Sequence, residues 1–236
     1  MRISNKIHSG TAVAAAVIMV ITTIASVGLN VFTLTANSGY YENSTLIMSV
    51  LRLVINAISS VLMTVVLLRR KKDTVGGVIF AITAVPVVIT GVLGNITGIF
   101  ANLVVISFGE RVIRICYIAA SLMHLVENVA SAAFRIFVAM ECFKPGSISG
   151  GKMKSFLIIL PIVFIVLMMF ATMVQTLFMV GDYGFGEYLL TMLPGTVLSA
   201  LFSAVYVIIG LAFSTPVYEQ NPYESAYTGQ SSYNFN

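Results

Sequence analysis

The chain of 236 residues is 58% hydrophobic and only 9% charged, with a formal net charge of +4. A soluble domain carries about 25% charged residues, so this composition defines a membrane protein and leaves no stretch for a soluble catalytic domain. The basic residues stand at the ends of apolar segments, so their positive charge reads as membrane topology rather than nucleic-acid binding.

The first apolar run, 11–34, is long enough to cross a bilayer and longer than a typical signal-peptide core, so it reads as a retained first span. Ala12 and Ala16 form a small-xxx-small pair, and Thr23, Ser26, Asn30 and Thr33 share one face further along. The second span, 45–68, ends at Arg69, Arg70, Lys71 and Lys72, four successive cations that read as a cytoplasmic anchor. Inside it Ser49, Arg52, Asn56, Ser59 and Met63 repeat by three and four, which places them on one helical face. Arg52, about 10 Å below the outer end by helical rise, either snorkels outward or reaches an acid on a neighbour.

The third span, 76–106, belongs to an apolar stretch longer than the roughly 20 residues that one crossing needs. Pro86 removes a helical hydrogen bond, and Gly91, Gly94 and Gly98 loosen the middle. A single crossing is expected, bent or interrupted between Pro86 and Gly98, either as one helix or as a span with a re-entrant piece. Two crossings would put Lys144, Lys152 and Lys154 of the 143–155 loop outside, against the positive-inside rule.

The fourth span, 112–140, carries Ser121, His124, Glu127, Asn128, Ser131 and Arg135 as a polar stripe at helical spacing. A charge at the centre of a span costs roughly 2.5–3.5 kcal/mol to insert, so this face should look toward a partner or a wet cavity. For Glu127 the partner is expected to be His124, or Arg52 and Asn56 from the second span at similar depth. Arg135 and Glu141, near the inner end, read as interfacial anchors. Cys116 and Cys142 lie about 39 Å apart along this helix, too far for a disulfide.

The fifth span, 156–180, is almost wholly apolar and expected to face lipid. After an outer loop at 181–187 comes the sixth span, 189–213, with Gly195, Ser199 and Ser203 as a packing stripe. The polar, Tyr-rich stretch 215–236 reads as a flexible cytoplasmic tail. The fold class is therefore all-α: a polytopic membrane helix bundle of six transmembrane helices without a soluble domain. Nine Lys and Arg on one side against two on the other, Arg111 and Arg114, put both termini in the cytoplasm, at the plasma membrane.

His124, Glu127, Asn128, Arg52 and Asn56 are the candidate substrate-binding residues, for a small polar solute or a proton, because a His beside a Glu can pass protons. No catalytic residue is assigned and no enzyme is read, since neither HExxH, GxSxG nor a Walker loop occurs; an intramembrane enzyme using His124 and Glu127 is a minor reading. No cofactor or metal is expected, because one His and one Glu are short of a metal set and His8 lies outside the membrane. The partners are the lipid bilayer and a partner membrane protein, not nucleic acid. In size, six-span topology and the Ala12/Ala16 pair the chain resembles the substrate-binding subunits of energy-coupling-factor vitamin transporters. That resemblance implies a bundle that captures a solute and borrows energy from a partner. The alternative is a non-transporting scaffold or sensory component acting through helix packing and its Tyr-rich tail. A cavity shared by Glu127, His124 and Asn56 favours the first reading, and a dry core the second.

Overall fold

Backbone groups in hydrocarbon must satisfy one another within a segment, so apolar runs of this length become helices. A computed structural model describes residues 4–36, 43–106, 111–183 and 185–218. It contains α1 (Ser9–Ala36), α2 (Asn43–Arg69), α3 (Thr74–Pro86), a π-helical stretch (Val87–Leu93), α4 (Gly94–Ile106), α5 (Arg111–Phe143), α6 (Phe156–Tyr183) and α7 (Phe185–Ser214). Among the described residues, five stretches are long and apolar enough to cross a membrane: Ser9–Thr35, Ser49–Arg69, Thr74–Val104, Ile115–Phe143 and Lys152–Met173. The protein is thus an all-α, multi-pass membrane bundle. A shorter apolar helix, Ala200–Ser214, lies within α7.

Packing follows a ring. α1 lies against α2 and α7, α7 against α6, α6 against α5, and α5 along the whole series α3, π stretch and α4, while α2 meets α3 across their short connection. Because lipid tails are as apolar as Leu, burial alone does not hold such helices together; close van der Waals contact does. Ala12, Ala15 and Ala16 are fully buried in the bundle, so the small-residue pair on α1 serves internal packing. Gly210 of α7 is needed for a similar reason: a Cβ there would collide with the backbone carbonyl of Leu157 on α6. Large side chains such as Ile21, Ile24, Val54, Ile89 and Phe170 point outward and suit a lipid-facing surface.

The third span, Thr74–Val104, is one stretch of membrane-crossing length, and all three of its pieces pack against α5. Pro86 ends α3 and a π-helix follows over Val87–Leu93, so the expected interruption between Pro86 and Gly98 takes this form. Side chains return hydrogen bonds to the loosened turns: Thr90 Oγ1 donates to Pro86 O at 2.7 Å, and Asn95 Nδ2 to Gly91 O at 2.7 Å. Such π stretches within helices often mark functional sites.

At the other extreme the expected loop 181–187 is largely helical, because α6 continues to Tyr183 and α7 begins at Phe185; glycines there do not break helices that are packed in a membrane bundle. The stripe residues Gly195 and Ser199 have side chains outside the described residues, as does nearly all of the tail, 219–236. The first tail residues are anchored, for Ser4 N donates to Val217 O at 2.7 Å.

The dense core occupies one end of the bundle. Met19, Met63, Leu67, Phe80, Phe134, Leu157, Ile209 and Phe213 are buried there, and Phe80 meets Phe213 edge to face with centroids 5.7 Å apart. Beneath it Arg70 adopts a left-handed backbone (φ 52°), which turns the chain so that Lys71 and Lys72 run beside Asn5 and Lys6. Ile7 N donates to Arg70 O at 3.0 Å and Lys72 N to Asn5 O at 2.6 Å. Asp73 then starts α3, its carboxylate accepting from Gly76 N at 2.8 Å.

Candidate functional site

Above the core, the polar faces of α1, α2 and α5 turn toward one another and toward α7. They enclose a cavity of about 430 Å³ whose wall includes Asn56 and Ser59 of α2, His124, Glu127 and Asn128 of α5, and Tyr206 of α7. An adjoining lobe of about 320 Å³ is bordered by Thr23, Asn30, Ser49 and Arg52, and both lobes share Ser26, Asn56, Ser60 and Phe202. All five residues singled out from the sequence therefore border this space. That size lies within the range of small-molecule sites.

His124 Nδ1 and Glu127 Oε2 are 2.7 Å apart, with side chains 28% and 20% exposed. The i,i+3 spacing on α5 brings them together, so of the partners anticipated for Glu127 it is His124 that makes the contact. Arg52 forms no ion pair among the described residues and stays exposed in the outer lobe. Asn128 is held on its own helix and packs on the neighbouring one: its Nδ2 donates to His124 O of α5 at 2.7 Å, and its amide fills the position that a Cβ on Gly91 of the π stretch would take. Glycine at 91 is thus what lets the π stretch lie against this face. The side chains of Asn56 and Ser59 find no hydrogen-bond partner among the described residues.

Arg135 departs from its anchoring role. It is 7% exposed and turned inward, with Nη1 donating to the carbonyl of Thr83 on α3 and Nη2 to the Tyr206 hydroxyl at 2.6 Å. The guanidinium also lies 5.4 Å from the centre of the Tyr206 ring, while Phe134 and Phe164 hold that ring edge to face. Snorkelling fails here because the core below Arg135 closes the way to the interface. It lines the cavity, and its Nε is buried without a hydrogen-bond partner among the described residues. Its membership of the Ser121–Arg135 stripe was the signal for this; Tyr206 carried none.

Lys72 also departs from expectation, because only Arg69, Arg70 and Lys71 of the four-cation run are exposed. Lys72 Nζ lies 2.7 Å from Glu141 Oε1, both side chains being fully buried, and it also donates to Phe213 O at 3.3 Å. Glu141 is likewise not an interfacial anchor. Oε1 accepts from Gly146 N at 2.9 Å and Ser149 Oγ at 2.7 Å, and Oε2 from Ile148 N at 2.9 Å and Ser149 N at 3.0 Å. The loop after α5 wraps the carboxylate, which with Lys72 receives five donors. A buried ion pair offsets its desolvation only when its remaining hydrogen-bonding sites are filled in this way.

Among the described residues no group of three or more His, Cys, Asp or Glu could hold a metal ion. Comparison with protein-family models, curated proteins and solved structures returns no match.

Proposed function

We propose that the protein is a small transporter, or a membrane subunit that binds a solute, with its site in the cavity bordered by His124, Glu127, Asn128, Arg52 and Asn56. The observation that carries this reading is the convergence of polar faces from α1, α2 and α5 on one space within a membrane bundle. Ionisable residues inside a membrane are costly and commonly mark solute or proton paths. A scaffold held only by helix packing has no use for such a space. Glu127→Gln is expected to abolish solute binding or uptake while leaving folded yield near wild type; a Glu127→Gln protein that binds as well as wild type would sink this assignment.

The same reading places both termini in the cytoplasm, at the plasma membrane. In support, the exposed Lys6, Arg69, Arg70, Lys71, Lys144 and Lys152 all lie on segments at the packed end of the bundle, as positive-inside topology requires. Ser147 is exposed there, whereas Ser149 is buried on Glu141, so Ser147→Cys in a Cys116→Ser background is the suitable probe. A membrane-impermeant maleimide should label it only after permeabilisation. Labelling in intact cells would reverse the orientation.

A further inference from the structure

We infer that the cavity takes a small organic carboxylate, with Arg135 as the group that receives its carboxyl end. This rests on the solute-binding reading and adds the chemical class of the solute. Arg135 is 7% exposed, yet among the described residues its guanidinium meets only neutral groups: the Thr83 carbonyl, the Tyr206 hydroxyl and the Tyr206 ring. Among the described residues it has no acidic partner. Glu141 is saturated by Lys72 and the loop that follows α5. Glu127 is engaged with His124, eight residues away and so about 12 Å along α5.

Arginine has five N–H donors, and the bonds to Thr83 and Tyr206 leave three without an acceptor among the described residues: two on the terminal nitrogens, and the Nε–H, which is buried. A planar carboxylate suits such a guanidinium in both charge and geometry. Thr83 and Tyr206 hold the guanidinium in place before a ligand arrives, which reduces the ordering that binding requires. A phosphate dianion fits less well, because the second arginine, Arg52, borders only the adjoining lobe. Met63, Met168 and Phe202 give the same cavity an apolar wall, which matches a carboxylate bearing a short alkyl or aryl group.

The test uses the full chain in lipid nanodiscs and follows its melting temperature with benzoate, butanoate, benzamide, butanamide and butylammonium. At least one of the two acids should raise the melting temperature saturably, with its amide inert. Arg135→Lys, which keeps the charge but loses the planar fork, should weaken that acid's binding tenfold or more. If Arg135→Lys folds poorly, Tyr206→Phe decides, since it removes only the hydroxyl that holds Nη2 and should weaken the acid several-fold. Equal responses to acid and amide, unchanged affinity in both variants, or no response to either acid would overturn the carboxylate assignment. Saturable binding of an amide or of butylammonium that Glu127→Gln abolishes would leave the solute-binding reading standing without it.

Discussion

Lys72 and Arg135 are both cations buried among helices, and the chain treats them in opposite ways. Lys72 has a buried acid beside it, and that acid has its remaining lone pairs filled by a loop. Arg135 has carbonyl and phenol partners, a buried Nε–H without a partner among the described residues, and a cavity at its side. Desolvating an ion costs several kcal/mol, so neither placement is neutral. The first cation is compensated entirely within the fold and reads as architecture. The second is compensated only in part, beside an open cavity.

The sharpest way to break this contrast is Lys72→Met. It leaves Glu141 buried without its cation, a change expected to cost about 3–5 kcal/mol, measured by thermal or denaturant unfolding in mild detergent. A variant melting with wild type would mean that charge pairing does not hold the packed end. Gly210→Ala ranks next: its Cβ meets the Leu157 backbone, which no rotamer change relieves, so overpacking of about 1–3 kcal/mol is expected. Gly94→Ala is the matched control, because nothing lies within 4 Å of its added Cβ and Ala favours helix over Gly by about 1 kcal/mol. If both substitutions shifted the melting temperature alike, close approach of α6 and α7 would not be what Gly210 provides. Glu127→Gln should have the smallest effect, about 1 kcal/mol or less, since it alters one partly buried hydrogen bond. A larger loss than that of Lys72→Met would make the cavity cluster the structural one and invert the comparison.

The helices were legible in the sequence because hydrocarbon permits little else for apolar runs of this length. The interruption after Pro86 was legible because a missing N–H and nearby glycines are local properties. The His124–Glu127 contact follows from spacing on one helix. What was not legible depends on distant pieces of chain meeting. Lys72 sits in a run of cations that reads as surface, and only the return of the loop after α5 makes it interior. Arg135 could be assigned to a face but not to a direction, since whether it reaches the interface depends on how tightly Phe80, Phe134 and Phe213 close the end below. The order of helices around the ring left no mark that periodicity could detect.

The segment before α1 gives the packed end a mechanical character. Its backbone is bonded to Val217 after α7 and to Arg70 and Lys72 between α2 and α3, while Lys72 grips Glu141 on α5. Five of the ring's members, α1, α2, α3, α5 and α7, are thereby coupled at one plate, and separating them there strips several hydrogen bonds at once. Opening motions of the bundle are therefore expected to pivot about this plate and widen the opposite half, where the cavity lies between the polar faces. Amide exchange would register the asymmetry: Ile7, Lys72 and Ile148 should exchange as slowly as helix interiors, although none lies inside a helix.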